Sequence, residues 1–344
     1  MTSSMRWAAA AFVGLTFFVG LGPFSARAET DEERSPLNRP IERAFQFAPA
    51  GVFLDYTHEK GEWTFLYRYE RYSFDGLMAG SESVSNAQVA SQYDLVPLSH
   101  TQQIHTFGVM YAPRDRFTLA FLLPYVDQSL TQINQLTGNP HQEQNTDGIG
   151  DARLVLMLPF IRNGDQQSQF NVELSFPTGS IRATDQEGLR LPYLMQRGTG
   201  TWDVHYGITY VGQYEAISWG GQVGGTYRLN ENSLDYRLGA VYQASAWLSG
   251  ELASWLSVSG RFAWQRTGNI HGEDPELDKS LSPLNNNMKQ AGTLVQAGPG
   301  MNVLLPIFGG QRLSVEVLFP LYQDLDGPQL RSDLTLTAGW QWIF

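Results

Sequence analysis

From residue 62 to its C-terminus the chain repeats one pattern, short segments in which apolar and polar side chains alternate. A strand sends successive side chains to opposite faces, so each segment is apolar on one side and small or polar on the other. The last is the clearest. Leu334, Leu336, Ala338, Trp340, Trp342 and Phe344 share one face, and Thr335, Thr337, Gly339 and Gln341 share the other, with Ile343 the one apolar intruder. A soluble strand seldom crowds Trp, Trp and Phe on one face of its end. A strand whose outer face meets lipid, and which ends in an aromatic girdle, does so.

Comparable segments lie at 62–74, 101–112, 117–125, 150–161, 168–178, 201–212, 217–228, 235–248, 253–266, 291–305 and 311–322. In the first, Trp63, Phe65, Tyr67 and Tyr69 oppose Thr64, Arg68 and Glu70. Each is near the ~9–11 residues that a tilted strand needs to cross a bilayer. The connections alternate in length. Short turns are expected at 112–115, 163–165, 213–215, 249–251 and 309–310, and long loops at 75–100, 179–200 and 267–290. Turns sorted in this way predict an all-β fold: a closed antiparallel transmembrane β-barrel of about 12 strands, with short periplasmic turns and long extracellular loops. Closure follows from lipid, which leaves an open edge no partner for its backbone groups. Pro124, Pro177 and Pro320 are expected at the rim, where pairing finishes.

The first residues fit an export signal. Arg6 precedes an apolar run, Trp7 to Phe24, and Ala26-Arg27-Ala28 forms an A-x-A site. The expected organisation is a signal peptide over 1–28 cleaved after Ala28, a periplasmic N-terminal extension over 29–48, and an outer-membrane barrel over 49–344. No cysteine is present, so neither a disulfide framework nor a thiolate metal site arises. The formal net charge of −11 argues against nucleic acid as a partner. The expected surroundings are outer-membrane lipid and a small-molecule solute; oligomeric state is left open.

If the apolar rows face lipid, the polar rows face a lumen. The expected lumen-lining charges are Arg68, Glu70, Glu173, Asp203, Arg228, Arg237, Arg261 and Glu316. Such groups either line a water-filled path and set its selectivity or pair with one another and fill a narrow barrel. The six histidines, His58, His100, His105, His141, His205 and His271, show no metal-ligand spacing. Asp147-Gly148-Ile149-Gly150-Asp151 opens no helix, so it reads as a glycine-rich approach to a strand and not as a phosphate cradle. Asp324-Leu325-Asp326-Gly327-Pro328 reads as a turn. No cofactor, metal or catalytic residue is expected.

Gly148-Ile149-Gly150-Asp151 followed by an alternating strand, then Ser175-Phe176-Pro177-Thr178-Gly179, resembles the outer-membrane transporter family of phenol-degradation meta-pathway proteins. Lys60-Gly61-Glu62-Trp63, Met110-Tyr111-Ala112-Pro113 and the 322–328 stretch resemble one of its branches. The resemblance implies a barrel that passes small, often hydrophobic, solutes, and no catalytic residue to transfer. Resemblance to such barrels also implies that Phe344 is the signal read by the outer-membrane assembly machinery. The leading expectation is a passive channel for small, hydrophobic or aromatic solutes. A structural or adhesive barrel whose loops bind a partner is the alternative. A lipase- or protease-type barrel enzyme is disfavoured, because no G-x-S-x-G stretch accompanies His105 or His205.

Overall fold

The computed structural model describes residues 43–163, 165–305, 307 and 310–344. The expected signal peptide, its cleavage site and most of the expected extension lie outside these residues. The strands are β1 (Trp63–Gly80), β2 (Glu82–Val84), β3 (Leu95–Arg114), β4 (Phe117–Asn134), β5 (Asn139–Ile149), β6 (Arg153–Asn163), β7 (Gln166–Ser175), β8 (Asp203–Tyr214), β9 (Ile217–Arg228), β10 (Tyr236–Arg237), β11 (Val241–Ala253), β12 (Leu256–Thr267), β13 (His271–Gly272), β14 (Gly292–Leu305) and β15 (Gln311–Ile343). One short helix, α1 (Asn86–Ala90), is capped by Ser85, whose hydroxyl accepts from the Gln88 amide.

Eleven of these elements form a ring, closed where β15 pairs with β1. β15 enters the ring twice. Residues 311–325 pair with β14, and residues 325–343 pair with β1. Every pairing in the ring is antiparallel, which an odd number of strands could not achieve on closing, so the ring holds twelve barrel strands. Closure leaves no edge in hydrocarbon.

Alternation sets which side chain faces which way. Phe65, Phe107, Phe121, Ile208, Val223, Leu248, Phe262 and Phe319 are exposed on the outer face. Thr64, Leu66, Met110, Ala120, Leu122 and Val155 are buried on the inner one. At one end the strands turn within a few residues, at 115–116, 215–216 and 254–255. At the other, the segments 176–202 and 268–291 are long. The turn expected at 249–251 is in fact inside β11, whose ladder with β12 is regular through Glu251 and, after a register shift, reaches Ala253. Ser249 faces inward and is buried, so its polarity marked an inner face and not a turn.

β1, β3 and β4 run for 18, 20 and 18 residues, well beyond the expected segments. Of the expected loop at 75–100, β1 takes 75–80 and β3 takes 95–100, with β2 and α1 between them. β4 changes partner on the way, pairing β6 through Leu122 and β5 from Tyr125. Pro124, expected at a rim, sits at this changeover, where its carbonyl accepts from the Gly150 amide at 2.9 Å. Pro320 likewise lies within β15, at the register shift against β14. A proline lacks the ladder donor, so both occupy places where the ladder is already interrupted.

Candidate functional site

The barrel interior is occupied at the short-turn end by residues 43–58. These span the last residues of the expected extension and the first of the expected barrel domain, and both stretches lie against inward-facing wall residues. Ala44, Phe45, Phe47, Ala48, Ala50, Val52 and Leu54 are buried. Leu54 packs with Leu66, Met110, Ala120, Leu122, Val155 and Met157 of the wall, and Ala48 and Val52 pack with Trp247. The Trp247 indole in turn requires Gly220, because any Cβ there would overlap it.

This plug has no ladder of its own, so its backbone acceptors are satisfied by wall side chains. Ser257 Oγ donates to the Ala44 carbonyl (3.1 Å), Asn302 and Arg312 donate to Ala48 (3.3 and 2.6 Å), Arg68 to Ala50 (2.7 Å) and Gln222 to Phe53 (3.2 Å). Gln169 and Asn171 both donate to the Leu54 carbonyl. Leu54 is held at a φ of 56°, a strained conformation for a branched side chain, by these bonds and its apolar contacts. The Arg312 guanidinium also pairs with Asp55 (3.0 Å) and lies 4.2 Å from the Phe47 ring centroid. Arg312 and Asp55 are each 3% exposed in their side chains, so neither has water as an alternative partner. His58 bonds Thr64 Oγ1 at 2.6 Å, and burial together with the Arg162 charge lowers its pKa to about 4.

Above the plug lie two stacked cavities of about 300 and 640 Å³. Glu70, Tyr72, Arg153 and His205 belong to the walls of both. Gly51 and Phe53 of the plug floor the lower one. The long loops cover the upper one, packing Val89, Tyr93, Leu191, Met195 and Leu284 against Leu77, Val96, Leu130 and Leu330.

Seven of the eight charges expected in the lumen line a cavity or pair with a residue that does. Arg68 pairs with Glu70 (2.9 Å), Arg153 with Glu173 (3.1 Å) and Arg261 with Glu316 (2.6 Å), while Arg228 pairs with Asp203. Arg68 and Arg153 also lie 5.0 and 5.9 Å from the Phe53 ring centroid. The Arg261–Glu316 pair rests directly on Gly51, where a Cβ would overlap both side chains. Arg237 is different. It lies in the small β10–β13 ribbon, opposite His271 and outside the ring. The expected strand 235–248 starts too early, since β11 begins only at Val241. Arg312, Arg153 and Arg162 were absent from the expected set. The alternation that turns Glu316 inward also turns Ser314 and Arg312 inward, so the signal for Arg312 was present.

The Gly150-Asp151 and Thr178-Gly179 stretches meet as a clasp. Asp151 accepts from the amides of Gly179 (2.8 Å) and Thr199 (2.7 Å), and Thr178 Oγ1 donates to the Gly150 carbonyl (2.7 Å). Gly179 and Gly198 approach so closely that neither admits a Cβ. The clasp joins the break between β5 and β6 to the 176–202 loop. Among the described residues no group of histidine and acidic side chains could hold a metal ion.

Among solved structures, an outer membrane channel from Pseudomonas putida F1 has a similar fold, with 16% identity, 85% of this chain and 99% of that chain covered, and a TM-score of 0.63. The fold is that of an outer-membrane β-barrel. A Pseudomonas aeruginosa FadL homologue (8% identity, 87% and 96% covered, TM-score 0.43) and a mutant of the TodX monoaromatic hydrocarbon channel (10% identity, 83% and 91% covered, TM-score 0.41) align more loosely. No protein-family description matches the sequence, and no curated protein matches it.

Proposed function

We propose that this barrel is a passive outer-membrane channel for small solutes, closed at rest by residues 43–58. The observation that carries the reading is the pair of stacked cavities with shared walls, which form an internal space ending on a segment held only by non-covalent contacts. The outer apolar face sits in lipid, the short-turn end faces the periplasm, and Phe344 serves the assembly machinery as its recognition signal. Four ion pairs, Arg68–Glu70, Arg153–Glu173, Arg228–Asp203 and Arg261–Glu316, balance the charge along the lumen wall. No reaction is assigned to the site.

Solute flux into proteoliposomes tests the reading. The full chain should pass small solutes slowly, and a chain lacking residues 43–57 should pass them much faster. No flux from either would overturn it. That outcome would favour the second reading, a barrel that presents a binding surface, for which the apolar cap formed by the long loops speaks.

A further inference from the structure

The upper cavity has two unlike walls. Strand register places four residues in one row across β6, β7, β8 and β9: Arg153 opposite Ser175, Ser175 opposite Asp203, Asp203 opposite Arg228. Neighbouring strands lie about 4.8 Å apart, so the two arginine backbones stand roughly 14 Å apart at the ends of the row. Facing them is an apolar wall that includes Phe74, Leu194, Leu284 and Leu330.

Buried donors without acceptors line this cavity. Its carboxylates are already engaged. Asp203 accepts from Thr201 (2.6 Å), Thr199 (3.0 Å) and Arg228, Asp151 accepts from two backbone amides, and Glu70 accepts from Arg68 and Tyr72 (both 2.9 Å). Each guanidinium presents five N–H groups. Arg153 directs one to Glu173 and Arg228 one to Asp203. The Nε atoms of Arg228 and Arg197 are buried without a partner among the described residues. A buried donor left unmatched is costly, and a charged acceptor makes the strongest match. A hydrocarbon would leave the surplus unmatched, and an ammonium would add to it.

We infer that the upper cavity binds an amphipathic monocarboxylate, its head group between Arg153 and Arg228 and its aliphatic or aromatic body on the Phe74–Leu284–Leu330 wall. This rests on the channel reading for its role in transport but not for the binding itself. The volume of about 640 Å³ falls in the ordinary range of small-molecule sites.

Calorimetric titration of the full chain in a nonionic detergent tests it with three probes of equal length: octanoate, octan-1-ol and octylamine. Octanoate should bind at least tenfold tighter than octan-1-ol, and octylamine the most weakly. Equal affinities, or a preference for the amine, would overturn the proposal. Arg153→Gln and Arg228→Gln should each reduce octanoate affinity tenfold or more while leaving octan-1-ol unchanged. Arg228→Gln removes the cation beside buried Asp203, so its heat-modifiable folded band is checked first. If it does not fold, Arg153→Gln and the wild-type probe series decide. A chain that conducts but binds the three probes alike keeps the channel and loses the site. A chain that prefers octanoate and never conducts keeps the site and loses the channel.

Discussion

The wall and the plug of this barrel obey opposite rules. The wall satisfies its backbone by strand pairing, so its side chains are free to alternate between lipid and lumen. The plug has no pairing partner, and wall side chains such as Arg312, Arg68, Gln222 and Asn302 supply its hydrogen bonds. The wall is therefore a ring closed by its hydrogen-bonded ladder, while the plug is held in the lumen by buried charge pairs, contacts that are costly to leave half-made. The lesson is that variants in the two regions should separate cleanly. Plug variants should change conduction and spare the barrel, and wall variants should do the reverse.

The largest effect is expected from Asp55→Ala. It leaves the Arg312 guanidinium buried without its carboxylate, a loss of about 3–5 kcal/mol for a broken buried pair. Conductance should rise sharply while the heat-modifiable band persists; unchanged conductance would show that the pair does not hold the plug. Val223→Arg comes next. It places a charge on the exposed outer face of β9, at a cost of about 2–4 kcal/mol near the membrane midplane. Its yield in the membrane should fall, and the molecules that insert should conduct like the wild type.

A third test uses pH. Docked His58, with its pKa lowered to about 4, stays neutral through mild acid. In an undocked plug it takes up a proton near its ordinary value of about 6.5. Protons therefore favour the undocked state between these values: docking is at full strength above about pH 6.5, weakens by up to about tenfold per pH unit as pH falls, and stops changing below about 4. Conductance of the wild type should rise between pH 7.5 and 5, and His58→Gln should flatten that part of the profile. A wild-type profile with no rise would contradict the assignment. The smallest change in stability should come from deleting Phe344. Its ring stacks on Phe65 (5.6 Å) and lies tilted against Trp342 (4.9 Å), so the assembled barrel loses about 1 kcal/mol of aromatic pairing. Insertion in cells should fall far more than that, and normal insertion would remove Phe344 as the assembly signal.

The same contrast explains what could be read from the sequence. Lipid forces one face of each strand to be apolar, so the alternation through Trp63–Tyr69 or Phe117–Tyr125 is explicit, and with it the ring, its strand number and the inward row from Arg68 to Glu316. Above the lipid that constraint ends. Ser99, His100 and Asp127 are polar on faces that no longer need to be apolar, and the upper parts of β3 and β4 therefore read as loop. Arg237 shows the converse error, a polar residue placed in a barrel strand because its neighbours happened to alternate, whereas it lies in the separate β10–β13 ribbon. The plug left no periodic trace at all. Its partners lie far along the chain, as the Arg312–Ala48 bond does, and nothing local in Phe47-Ala48-Pro49-Ala50-Gly51 announces them. Gly51 makes sense only once the Arg261–Glu316 pair is seen resting on it.

The most direct measurement is a paired planar-bilayer recording of the full chain and of a chain lacking residues 43–57, both confirmed as folded barrels by heat modifiability. A plug that closes the lumen predicts small, infrequent openings from the first and large, steady ones from the second. Equal single-channel conductance from the two would contradict it.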